Sequence, residues 1–185
     1  AQLQIAYSLA PVKINLNFRK LFKTKCTMKK VLIALDYDQS GKKVAETGYS
    51  MAGSMDAEVT LLHVIADPTF YSDLDYSPIT GFLGYMNMSH LQMESLEGLK
   101  EASLQYLDKI KKHLGDNSIR TIIKEGDKAG SILETARELH ADAIVMGSHS
   151  RRWLDDILMG SVTEKVLHQT SIPVLVVPTK QEKKK

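Results

Sequence analysis

The sequence predicts an α/β fold: a single doubly wound five-stranded parallel sheet with helices on both faces. Two observations predict it. Apolar runs such as Ala143-Ile144-Val145-Met146 are unbroken, as in strands buried on both faces. Stretches with helical apolar spacing alternate with these runs along the chain. That alternation is the pattern of parallel strands joined by right-handed helical crossovers.

The first strand is expected over Lys30–Asp36, where Val31-Leu32-Ile33-Ala34-Leu35 is continuously apolar. A helix over Ser40–Ser54 follows, with Val44, Ala45, Tyr49 and Ala52 at helical spacing. The second strand is Glu58–Ile65. A long helix over Met93–Leu114 carries Leu96, Leu99, Ala102, Tyr106, Leu107 and Ile110 on one face. The third strand is Ile119–Lys124. A helix over Gly130–His140 places Ile132, Leu133, Ala136 and Leu139 inward. The fourth strand is Ala143–Gly147, the last helix Ser161–Gln169 and the fifth strand Pro173–Val177.

The domain is expected to span residues 28–179. Residues 1–27 form a leader holding Lys13, Arg19, Lys20, Lys23 and Lys25 and no acid. The net charge of +2 is therefore misleading, because the chain from Met28 onward carries −3. The leader reads either as a non-native extension before a natural start at Met28 or as a genuine added strand. The second reading rests on Val12, Ile14, Leu16 and Phe18, which alternate with polar residues. Residues 180–185 are a basic tail. The segment 67–92 is too long for a simple turn and holds Phe70, Tyr71, Tyr76, Phe82, Tyr85, Met86 and Met88. It reads equally as a cover for a site or partner and as a small satellite core.

Composition excludes several classes. Hydrophobic residues make up 43% and charged ones 25%, which argues against wholesale disorder. The domain has no basic stripe of the kind that binds nucleic acid. No apolar run is long enough to span a membrane. Cys26 is the only cysteine, so no internal disulfide forms, and a reducing cytoplasmic setting is expected. No histidine pair has metal-ligand spacing, no CxxC occurs, and no protein-bound metal site is expected. A Walker loop, a GxGxxG after the first strand and a GxSxG elbow are all missing.

The segment from Gly147 to Glu164 carries the strongest chemical signal. A strand ends at Gly147, a loop follows, and a helix begins at Ser161. A helix start offers free N–H groups and a positive dipole end, so it favours anions. Gly147 and Gly160 let the backbone approach a phosphate, and Ser161 and Thr163 add hydroxyl donors. Ser161 or Gly160 stands near the cap, and Glu164 is placed for a capping box. The bland alternative is a Gly-punctuated loop before an ordinary capped helix, with Arg151 and Arg152 solvated. His63, in a strand, reads as a core histidine.

The spacing Gly147, two residues, Ser150, nine residues, Gly160, Ser161 resembles the closing motif of the universal stress protein family. The match continues through Val162-Thr163-Glu164-Lys165-Val166-Leu167 and Ser171-Ile172-Pro173-Val174-Leu175-Val176-Val177-Pro178. It also takes in Val31-Leu32-Ile33-Ala34-Leu35-Asp36, Leu61-Leu62-His63-Val64 and Asp142-Ala143-Ile144-Val145-Met146-Gly147. The resemblance implies a Rossmann-like domain in which strands one and four lie side by side where the sheet order reverses. It implies that adenosine is held at Asp36 and by main chain near Val64. It implies that phosphates lie against Met146, Gly147, Ser150, Gly160, Ser161 and Val162. It also implies a homodimer joined through the last strand, Ile172 to Val177. Ser150 departs from the pattern, which has glycine there in ATP-binding members, and its Cβ bears on how closely a phosphate approaches.

Three functions are in competition. The first is an adenine-nucleotide-binding module, for ATP or AMP, acting in stress response through a homodimer. The second is a nucleotide-independent dimeric interaction protein in which Ser150 marks a degenerate site. The third is a slow ATPase or phosphotransferase, for which Asp155, Asp156 and Glu164 are the nearby carboxylates, though none stands in a recognisable motif.

Overall fold

A computed structural model describes residues 28–37, 40–66, 96–148 and 159–179. The leader 1–27, most of the segment between strand two and the long helix, Ser150 with its neighbours 149–158, and the tail 180–185 lie outside the described residues.

Nine elements are described: β1 (Lys30–Leu35), α1 (Ser40–Ser54), β2 (Glu58–Ile65), α2 (Leu96–Leu114), β3 (Arg120–Glu125), α3 (Lys128–Glu138), β4 (Ala143–Gly147), α4 (Ser161–Gln169) and β5 (Val174–Val177). All strands pair in parallel, in the order β3-β2-β1-β4-β5. The chain moves outward from β1 to β3, then crosses back to β4 and continues to β5. Crossovers of one hand that run in opposite directions put their helices on opposite faces. Accordingly α1 and α2 cover one face, where Val31, Ile33 and Val145 meet Val44, Leu99 and Leu107. The other face carries α3 and α4, where Leu32, Leu62, Ile144 and Met146 meet Ile132, Leu133 and Val166. Alternate residues of one strand enter opposite cores, which is why β1 and β4 lack polar residues inside their runs.

Gly48 lets α1 sit close to the sheet. A Cβ there would fall 2.7 Å from Ile33 Cδ1 and 3.2 Å from Val145 Cγ1. Asp142 ties the amino end of β4 to that of β1. Its Oδ2 accepts the Lys29 amide at 2.7 Å and the Lys30 amide at 3.0 Å. These donors, with the two lysine charges, hold its carboxyl below the ordinary range.

Several expected boundaries move. β1 ends at Leu35, before Asp36. The described part of α2 begins at Leu96, and 93–95 lie outside the described residues. β3 begins at Arg120, although Ile119 is buried in the core under α1 and α2. α3 starts at Lys128, two residues before the expected Gly130, because Asp127 is its N-cap and accepts the Gly130 amide at 2.7 Å. It stops at Glu138, and His140 turns the chain with φ of 50°. β5 starts at Val174. Pro173 has no N–H to give, but its carbonyl accepts the Ile144 amide at 2.9 Å.

Candidate functional site

The sheet order reverses between β1 and β4, and a crevice opens at their carboxyl ends. Open α/β sheets bind ligands at such switch points. The crevice is lined by Asp36 at the end of β1, Val64 of β2, and Met146 and Gly147 of β4. Gly160, Val162 and Thr163 enter from the start of α4, Lys128 and Ile132 from α3, and Ser40, Gly41 and Val44 from α1. Three helix starts therefore border one opening. The cavity measures about 70 Å³, several times what a single water requires.

Six of the eight residues singled out from sequence are thus brought together: Asp36, Val64, Met146, Gly147, Gly160 and Val162. Ser161 is exposed in the first turn of α4 and is not among the lining residues. Ser150 lies outside the described residues.

The expected capping box does not form. Gly160, at φ −74° and ψ 149°, is the N-cap, and no side chain caps the helix. Glu164 then stands one residue too far along for the box. Its amide donates to the Gly160 carbonyl at 3.0 Å, and its side chain approaches His168 at 3.9 Å. The Thr163 hydroxyl, expected as a ligand donor, instead donates to the Gly147 carbonyl at 2.9 Å. This bond fixes the start of α4 against the end of β4. The Gly160 amide donates to the Ser148 carbonyl at 2.7 Å, and the Ser148 amide donates to Val177 at 2.9 Å. Ser148 Oγ accepts the Thr179 amide at 3.1 Å. Both ends of the segment between β4 and α4 are therefore anchored to the sheet.

Asp36 and Lys128 are the charged side chains among the lining residues. The Lys128 Nζ stands 3.4 Å from each Asp36 carboxylate oxygen, and the two side chains are 21% and 23% exposed. Their charges offset each other, leaving the polar backbone of the helix starts to bias the crevice toward an anion. Sequence reasoning missed Lys128. The available signal was Gly126-Asp127, a turn and cap after β3, which places the next residue at the carboxyl edge of the sheet.

Below Asp36 lies a buried polar cluster. The Tyr37 and His63 ring centroids are 3.7 Å apart, and Tyr106 meets Tyr37 edge-on at 5.1 Å. His63 is 1% exposed, in keeping with its expected core position. Its Nδ1 lies 2.9 Å from the Leu35 carbonyl, which can only accept, so Nδ1 carries the proton. Ser103 donates to the Leu99 carbonyl at 2.6 Å, which leaves its oxygen to accept from the Tyr37 hydroxyl.

Fold and crevice together define a doubly wound parallel α/β domain with an anion-favouring opening at its switch point. The family model described as "Universal stress protein family" matches residues 27–178. Universal stress protein MJ0577 of Methanocaldococcus jannaschii is 31% identical over 155 residues, which span 82% of this chain and 96% of that protein. Universal stress protein YxiE of Bacillus subtilis is 29% identical over 80% of this chain and 97% of its own length. A solved structure of MJ0577 covers 84% of this chain and 99% of its own, with 29% identity and a TM-score of 0.63. A universal stress protein solved in complex with cAMP shares the fold at 18% identity and a TM-score of 0.55, covering 83% of this chain and 99% of its own. The chain belongs to the universal stress protein family.

Among the described residues, no helix is long and apolar enough to cross a membrane.

Proposed function

We propose that the crevice binds an adenine nucleotide, ATP or AMP, and that the protein works as a nucleotide-responsive binding module. The observation that carries this reading is the start of α4. Its first turn has no side-chain cap, and it opens on the crevice that holds Asp36. Uncapped N–H groups at a helix start are ready donors to a phosphate. A carboxylate in the same opening accepts from the hydroxyl or amino groups of a nucleoside. In this reading Asp36 and main chain at Val64 hold the nucleoside. Met146, Gly147, Gly160 and Val162 surround the phosphates. That a family member was solved with cAMP is in keeping with a nucleotide as ligand. Mass spectrometry of small molecules released from the purified, denatured protein tests the reading. Recovery of ATP or AMP supports it, and recovery of a different class of ligand overturns it.

The module is further proposed to act as a homodimer joined through β5. β5 is an edge of the sheet, and no charge stands between Ser171 and Pro178. The opposite edge, β3, carries Arg120, Lys124 and Glu125, and charge blunts strand pairing. Val174, Leu175 and Val176 are half-exposed along the uncharged edge. Antiparallel pairing of two copies about a twofold axis would bury them. The same edge supports the second reading, a dimer that works without nucleotide. The two are separated by whether nucleotide binds.

A further inference from the structure

We propose that Tyr106 is a positioning residue for the crevice: its hydroxyl sets the direction in which the Asp36 carboxylate meets a bound nucleoside. This inference rests on the nucleotide-binding reading above. The β1–β2 ladder ends where Leu35 pairs with His63. Asp36 is the next residue, and its carbonyl accepts the Tyr106 hydroxyl at 3.0 Å. That carbonyl belongs to the same planar peptide unit as the Tyr37 N–H. The Tyr37 N–H in turn donates to Asp36 Oδ1 at 2.9 Å. In a trans peptide the carbonyl and the N–H point in opposite directions. Turning the plane at one side therefore swings the donor at the other. Tyr106, reaching from α2, holds the carbonyl side of this plate, and the Asp36 carboxylate rides on the N–H side.

Two further features support the assignment. Tyr37 cannot turn freely with the plate, because its ring lies against His63 and Tyr106 and its hydroxyl is bonded to Ser103. Gly41, at the start of α1, is kept small by the same contact. A Cβ there would collide with the Tyr106 hydroxyl and would stand 2.9 Å from the Asp36 carbonyl. The fold thus leaves room for this one hydrogen bond at the point where β1, α1 and α2 converge. Tyr106 stands 70 positions from Asp36 in the chain and does not line the crevice. It acts through Asp36 rather than on the ligand.

The test is a double-mutant cycle on the full chain, with AMP as the titrant, over wild type, Tyr106→Phe, Asp36→Ala and the double variant. Tyr106→Phe should weaken AMP binding by about fivefold, the worth of one ordinary hydrogen bond. In the Asp36→Ala background the same change should have no further effect, since no carboxylate remains to be aimed. A general loosening of the fold would instead weaken both backgrounds by the same factor, and that outcome overturns the proposal. So does an unchanged affinity for Tyr106→Phe when wild type binds, which leaves the nucleotide reading standing. If wild type binds ATP and not AMP, the cycle is run with ATP; absence of binding of both to wild type overturns the nucleotide reading and the positioning role with it. Thermal melts of the four proteins establish that each is folded.

Discussion

The Gly160 amide donates to the Ser148 carbonyl at 2.7 Å, so the residues that open and close the segment between β4 and α4 are bonded to each other. Gly160 is also the N-cap of α4 and lines the crevice. Its φ of −74° is open to any residue, so the backbone there accepts a side chain.

Gly160→Val is therefore expected to fold. Valine is a poorer N-cap than glycine, and the variant should lose about 1 kcal/mol of stability. Gly160 lines the crevice, so a side chain added there should crowd a ligand, and crowding of about 1–3 kcal/mol weakens AMP binding by roughly fivefold or more. Calorimetric titration beside a thermal melt checks both parts. Unchanged affinity would remove Gly160 from the site.

Gly48→Val tests the packing of α1 on the sheet. The new Cβ meets Ile33 and Val145, both fully buried. Overpacking of a dense core costs about 1–3 kcal/mol. The midpoint of urea unfolding should fall accordingly, with an unchanged denaturant slope.

Asp142 governs part of the acid response. Its carboxyl is held below the ordinary value by the Lys29 and Lys30 amides. A carboxylate depressed in the folded state contributes stability above its unfolded value and loses it as pH falls through the folded one. Unfolding midpoints should therefore drop as pH is lowered below about 4. Asp127 and Asp116 are depressed in the same direction, by the Gly130 amide and by Ser118, and act in the same window. Asp142→Ala should be less stable at pH 7 and should show a smaller loss across the acid range. A variant with the wild-type acid profile would contradict this.

The β5 edge makes a prediction about assembly. A charge at Val176, as in Val176→Lys, should convert a dimer into a monomer. Sedimentation at micromolar concentration reads the result directly. A monomeric wild-type protein would rule out the β5 interface.

Much of this fold was legible because its signals are local. Ala143–Gly147 is apolar at every position facing either core, and the observed strand coincides with the expected one. The bounds of α1, β2 and α4 also match, since apolar periodicity changes sharply at each. Two errors show how local signals mislead. The apolar spacing starts α3 at Gly130, although Asp127 three residues earlier is the side chain that caps it. The Ser161–Glu164 spacing fits a capping box, but the cap falls one residue earlier and the box is lost. Gly126-Asp127 signals that Lys128 stands at the carboxyl edge of the sheet, but its pairing with Asp36, and that of Tyr106 with Asp36, was out of reach. Both depend on which strand ends the sheet brings side by side, and no spacing in the chain encodes that.

Calorimetric titration of the full chain with ATP and with AMP tests the central claim most directly. The account predicts saturable binding of one nucleotide per chain, weakened in Gly160→Val and in Asp36→Ala. No saturable binding of either nucleotide at millimolar concentration would contradict it.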